Sequence, residues 1–165
     1  MMGRSALVTG VSRRAGIGFA VARRLGELGF DLLVHSWAPH DEEQSLADPI
    51  GVDAVVDELR AAVPTRRVEH VALDFSEPSA PAACVAAALE RVGPLDVVVA
   101  NHARSSEMRL DALTAAELDL ALAVNVRATL LLVQAFAAAH DDGRPGGRRR
   151  GRRRRPARAG ASRGR

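Results

Sequence analysis

The stretch Ser5–Leu25, SALVTGVSRRAGIGFAVARRL, limits what this chain can fold into more than any other. A short apolar run, Ala6-Leu7-Val8, ends at Thr9-Gly10. A glycine-containing loop follows, and apolar residues then recur at helical spacing through Ile17, Phe19, Ala20, Val21 and Leu25. The order is strand, tight turn, helix. It aims the first helical N–H groups out of the end of a sheet, where the helix dipole favours an anion. Gly10, Gly16 and Gly18 carry no Cβ, so backbone can approach a pyrophosphate and the helix can lie close on the strand. The pattern predicts a dinucleotide site. An ordinary strand–helix corner is the alternative, and Gly16-x-Gly18 alone would leave that alternative favoured.

The pattern repeats downstream. Phe30–Val34 reads as a second buried strand, Val68–Leu73 as a third and Val97–Ala100 as a fourth. Helical spacing runs over Val52–Val63 and Ala80–Val92, and Leu110–Leu118 leads into a long helix over Ala121–Ala139. Residues 38–49 (APHDEEQSLADP) read as a polar loop. Strands alternating with helices predict an α/β, three-layer, doubly wound Rossmann-type parallel sheet. An apolar strand left at the edge of such a sheet is an aggregation risk.

Over positions 5 to about 139 the chain resembles the short-chain dehydrogenase/reductase family. Thr9-Gly10 with Gly16 and Gly18 is similar to that family's Thr-Gly-x-x-x-Gly-x-Gly motif, with five residues between Gly10 and Gly16 where the family has three. Ala100-Asn101-His102-Ala103 is similar to its Asn-Asn-Ala-Gly block, of which Asn101 is retained. Asn125, set in Leu-Ala-Val-Asn-Val-Arg, resembles the Asn of the active-site tetrad; an Asn in an apolar helix also needs partners for its amide, which allows a structural role. The resemblance implies NAD(P)(H)-dependent interconversion of carbonyl and alcohol, of the 3-ketoacyl reductase type, in a homo-oligomer joined through long helices. For this chain it implies a sheet truncated after the fourth strand and its following helix, in the order 3-2-1-4, with the fourth strand an exposed apolar edge. It implies that Thr9, Gly10, Ser12, Arg13, Gly16, Ile17 and Gly18 hold the phosphates. Asp74, followed by Phe75, would reach the adenine amino group, and Asn101 the ribose. Asp74 could equally form the turn into Ser76-Glu77-Pro78.

The choice of dinucleotide turns on the end of the second strand, which meets the adenosine ribose. A carboxylate there would repel a 2′-phosphate. Here the chain reads His35-Ser36-Trp37, placing Ser36 at the ribose, with no carboxylate until Asp41. Arg13 and Arg14 in the glycine loop offer guanidinium groups that pair bidentately with phosphate, or they are solvated loop charges. NADP(H) is favoured over NAD(H).

The family's chemistry needs a Tyr that exchanges a proton with the substrate oxygen and a Lys four residues later that lowers the phenol's pKa. Burial alone would raise it, so a cation is required. The chain has no Tyr, and all 23 of its basic residues are Arg. Asn125 is the sole tetrad remnant, and the polypeptide as written is expected to be inactive.

Charge divides the chain in two. Residues 1–143 carry 12 arginines against 20 carboxylates, a net of −8, whereas residues 144–165 carry 11 arginines and no acid. This marks 1–143 as the nucleotide-binding domain and 144–165 as an Arg/Gly-rich disordered tail. The tail has three readings: a basic arm for nucleic acid, binding in a salt-sensitive way; a solvated segment with no specific role; or a shifted reading frame in a GC-rich gene. The third is favoured, because those residue types come mostly from GC-rich codons and family-like sequence ends at a point. A dinucleotide-binding remnant without catalysis and a nucleic-acid binder remain the alternatives to an oxidoreductase.

Other features add little chemistry. The single Cys84 sits in an Ala-rich segment and reads as a small core residue. The five histidines show no metal-ligand spacing and most read as surface or loop residues, so no metal site is expected. Asp41-Glu42-Glu43 reads as a charged loop run, and Ser105-Ser106 have no partnered His and Asp to make either a nucleophile. Residues 118–139 are apolar but interrupted by Asp119, Asn125 and Arg127, which favours a buried amphipathic helix over a membrane span. No secretory signal opens the chain, and a soluble cytoplasmic protein is the expectation.

Overall fold

The computed structural model describes residues 3–43, 47–106 and 108–142. In chain order its elements are β1 (Arg4–Thr9), α1 (Ile17–Glu27), β2 (Phe30–Ser36), α2 (Ala38–Glu43), α3 (Gly51–Ala62), β3 (Val68–Ala72), α4 (Ala80–Arg91), β4 (Val97–Val99), α5 (Ala115–Leu122) and α6 (Thr129–Asp142). The tail 144–165 lies outside the described residues.

The four strands form one parallel sheet in the order β3-β2-β1-β4, the order the resemblance implies. β1 and β2 are its central strands and are covered on both faces, which is why they read as continuous apolar runs rather than as alternating ones. Their register pairs Leu7 with Leu33 and Val8 with Val34. Successive side chains point to opposite faces. Ala6, Val8, Leu32 and Val34 therefore pack against α1 and α3, where they meet Phe19, Ala22, Val55 and Leu59. Leu7 and Leu33 face α4 and α6 and meet Cys84, Val85, Ala88 and Leu132. Two cores on two faces of one sheet make the three layers. Cys84 is fully buried, and burial pushes its thiol up to about 12.

Three features differ from the sequence expectation. The polar stretch 38–49 begins with a helix, α2. Pro39 sits in its first turn, where a missing N–H costs nothing, and its carboxylates find arginines, described below. The long helix starts at Ala115 rather than Ala121, because Thr114 caps it: the Thr114 hydroxyl accepts from the Glu117 N–H at 3.2 Å. Residues Ala123–Ala128 form a π-helical turn that joins α5 to α6. Three of the five histidines are withdrawn from solvent, where most were expected at the surface or in loops. His35, in β2, is 1% exposed, and His70 and His102 are partly buried.

The long helix packs one face against the sheet through Ala128 and Leu132 and carries Leu118, Leu122, Val126, Leu130 and Val133 outward, each about half exposed. It is less buried than the sequence suggests. Ala115–His140 is long and apolar enough to cross a membrane by length and composition. β4 is the terminal strand of the sheet and pairs with β1 alone among the described residues.

Candidate functional site

A cavity of about 710 Å³ opens at the carboxyl ends of the strands, within the size range of small-molecule and cofactor sites. Ligands of open α/β sheets bind in this position, where strand order reverses; here the reversal falls between β1 and β4. The loop after β1 contributes Gly10, Ser12, Arg13, Gly16 and Ile17 to the cavity wall. The loop after β3 contributes Asp74 and Phe75, and the loop after β4 contributes Asn101.

Local chemistry explains why the glycine loop holds its shape. Gly10 has φ +72°, and a Cβ there would lie 2.8 Å from the Asn101 carbonyl oxygen. Gly18, in the first turn of α1, is tighter still: its Cβ would stand 2.2 Å from the Gly10 carbonyl oxygen. Asn101 closes the corner, its side-chain amide donating to the Gly10 carbonyl at 3.1 Å and its backbone N–H to the Thr9 hydroxyl at 3.0 Å. Among the described residues no side chain caps α1, and its first turn carries no carboxylate. That leaves the free N–H groups of the turn and the positive end of its dipole for an anion.

Not every predicted site residue reaches the cavity wall. Thr9 is buried, and its hydroxyl ties β1 to the loop after β4 by accepting from Asn101 and His102. Gly18 acts through helix–loop packing. The Ser36 hydroxyl lies 2.8 Å from His70 Nε2, away from the cavity lining. Arg14 turns aside: its Nε and Nη2 donate to Asp48 at 3.1 and 3.0 Å, and Glu58 lies 3.6 Å from its Nη1. Hydrogen bonds from Arg14 hold the Asp48 carboxyl down at about 2. Of the arginine pair, Arg13 alone lines the cavity. The Asp74 carboxylate accepts from the Ser76 N–H at 2.8 Å, so the turn-forming role is present and the residue still borders the cavity.

Asn125 is fully engaged by one residue. Its Oδ1 accepts from the Arg104 N–H at 2.7 Å and its Nδ2 donates to the Arg104 carbonyl at 2.9 Å. This two-point clamp fixes the loop after β4 against the π-helical turn and is the structural role an Asn in an apolar helix demands. Asn125→Ala is expected to cost about 1 kcal/mol of stability in urea denaturation and to loosen the 102–106 backbone in hydrogen exchange. Unchanged protection of that loop would contradict the clamp.

Beneath the cavity lies an aromatic floor that the sequence did not reveal. His35 stacks on Phe75 with ring centroids 4.0 Å apart, and His102 meets Phe75 edge-on at 4.5 Å. The Thr129 hydroxyl donates to the Asn125 carbonyl at 2.9 Å, so His102 Nε2 donates to Thr129 at 3.2 Å and His102 Nδ1 accepts from Thr9 at 2.8 Å. His35 Nε2 donates to the Leu73 carbonyl at 2.9 Å, which leaves Nδ1 as a bare acceptor with no partner among the described residues. Burial above all lowers the His35 pKa to about 4. Burial likewise lowers His70 and His102.

Sequence comparison matches the family described as short chain dehydrogenase over residues 4–148. The chain belongs to the short-chain dehydrogenase family. Solved structures agree on fold. A short-chain dehydrogenase from Burkholderia cenocepacia in complex with NADP is 35% identical, with a TM-score of 0.68 over 82% of this chain and 50% of its own. A 3-oxoacyl (acyl-carrier-protein) reductase from Agrobacterium tumefaciens with NADP bound is 30% identical, with a TM-score of 0.67 over 84% of this chain and 48% of its own. A doubly substituted short-chain dehydrogenase/reductase from Serratia marcescens is 28% identical, with a TM-score of 0.68 over 86% of this chain and 53% of its own. The chain thus spans about half the length of these structures. No curated protein matches its sequence.

Proposed function

We propose that this chain is the nucleotide-binding half of an NADP(H)-dependent oxidoreductase of the carbonyl/alcohol, 3-ketoacyl reductase type, and that by itself it binds the dinucleotide without turning it over. The observation that carries this is the cradle: a helix N-terminus with no side-chain cap, approached through Gly10 and Gly16, opening on a cavity of about 710 Å³. Ser12, Gly16 and Ile17 border the space for the diphosphate and Arg13 that for the 2′-phosphate, with Thr9 and Gly18 shaping the cradle from behind. Asp74 and Phe75 border the adenine end, and Asn101 the ribose. Structural relatives described as NADP complexes support the choice of dinucleotide. Arg13 in the wall and the lack of a carboxylate in His35-Ser36-Trp37 support NADP(H) over NAD(H).

When bound, the nicotinamide dinucleotide supplies a hydride. The chain's own residues position it, and the proton donor the family's chemistry uses is missing, since the sequence has neither Tyr nor Lys. Calorimetric titration with NADPH and NADH tests this. Saturable binding about tenfold tighter for NADPH is expected from one charge-assisted contact at Arg13. No NADPH oxidation is expected in the presence of a 3-oxoacyl thioester. Turnover by the pure chain would overturn the non-catalytic part, and no saturable binding would overturn the whole.

A further inference from the structure

The arginines that line the cavity among the described residues are Arg13 and Arg104, and the chain's own acids already occupy both. Asp41 lies 3.8 Å from Arg13 Nε. Arg104 donates through Nε and Nη2 to the two oxygens of Glu117 at 3.1 and 3.2 Å, and through Nη1 to Glu43 at 3.3 Å. The Ser105 N–H donates to His40 Nε2 at 3.3 Å. His40, Asp41 and Glu43 all belong to α2, and all three border the cavity. The short helix that follows β2 is thus pinned to the loop after β1 through Asp41 and to the loop after β4 through His40 and Glu43. Its carboxylates sit where an anion would find its cations. With Asp74 and Glu117 also present, acids outnumber arginines around this space, which weakens its attraction for a diphosphate.

We propose that α2 is an acidic strap that docks on Arg13 and Arg104 in the ligand-free chain and competes with the anionic ligand for them. The competition rests on the dinucleotide reading given above, but the docking does not. Both ion pairs are partly exposed and individually weak, so the strap attenuates affinity rather than blocking the site. A ligand that takes Arg13 releases Asp41, and anything that weakens the two pairs raises ligand affinity by the same free energy.

Trp37, the only tryptophan, immediately precedes α2 and borders the cavity, so its emission reports the strap without any ligand. The test compares the full chain with Asp41→Asn/Glu43→Gln and with Glu42→Gln. The last removes the same kind of charge from α2 at a residue with no ion pair among the described residues. Acrylamide quenching of Trp37 is expected to rise in the double variant and not in Glu42→Gln. NADPH affinity is expected to tighten by about three- to tenfold in the double variant alone. Unchanged quenching overturns the strap, whatever NADPH does. Raised quenching with unchanged NADPH affinity overturns the competition. Raised quenching with no NADPH binding to any variant keeps the docked strap, and it is the dinucleotide reading that falls.

Discussion

Gly18→Ala is expected to destabilise the chain by about 2–3 kcal/mol, the range for forcing extra atoms into a packed site, and to abolish saturable NADPH binding. The added methyl would stand 2.2 Å from the Gly10 carbonyl oxygen and 2.9 Å from the Asn101 side-chain nitrogen. The first of these is backbone and cannot rotate away. Either α1 slides off the end of β1, or Gly10, held at φ +72° against the Asn101 carbonyl, moves instead. Both responses displace the first-turn N–H groups on which the proposed diphosphate site depends. Both also strain the Asn101–Gly10 hydrogen bond that closes the corner. Urea denaturation checks the first effect and calorimetry the second. A variant with wild-type stability and affinity would mean that the close contact between helix and loop does not shape the cradle.

The second large effect is with pH. His35 is buried in β2 and stacked on Phe75, with its Nδ1 unpartnered among the described residues and its pKa lowered to about 4 from an ordinary 6.5. Between these values the unfolded chain binds the proton and the folded chain does not. Stability is therefore complete above about pH 6.5 and falls as the pH drops toward 4, by about 3 kcal/mol from this one group. His70 and His102, lowered by burial in the same way, act in the same direction. His35→Phe preserves the stack on Phe75 while removing the titration, so its stability should depend less steeply on pH over this interval. Urea midpoints measured from pH 4 to 7 would show it. Equal slopes for variant and wild type would locate the acid sensitivity elsewhere.

The fold was largely legible because its signals are local and repeated. Each buried strand is an unbroken apolar run between turn residues, so β1 to β4 were within reach of pattern alone, whereas alternation with helices fits more than one strand order and 3-2-1-4 came with the family resemblance. The long helix began six residues early for a reason the sequence did contain: Thr114-Ala-Ala-Glu117 is a capping signature. α2 was not legible. Six residues with a proline second and acids at the end read as a loop, and the partners their carboxylates find, Arg13 and Arg104, lie outside any local window, the latter more than sixty positions away.

The site was half legible. Glycines announce themselves because few other residues fit where backbone crosses backbone, and Gly10, Gly16 and Asn101 do meet at the cavity. Which of two adjacent arginines faces it was beyond a local reading, since Arg14 is drawn off by Asp48 and Glu58. The same holds for the histidines. His35 and His102 carry no spacing signal, because they are brought together by β2 and the loop after β4, two segments distant in sequence.

The most direct test of the central claim is an amide chemical-shift map of the full chain titrated with NADPH. The account predicts saturable shifts clustered at Ser12, Gly16, Ile17 and Gly18 in the glycine loop and first turn of α1, with a second group at Phe75 and Asn101. Shifts confined to the arginine-rich residues 144–165, with the glycine loop unmoved at saturation, would contradict it and show a tail binding phosphate by charge alone.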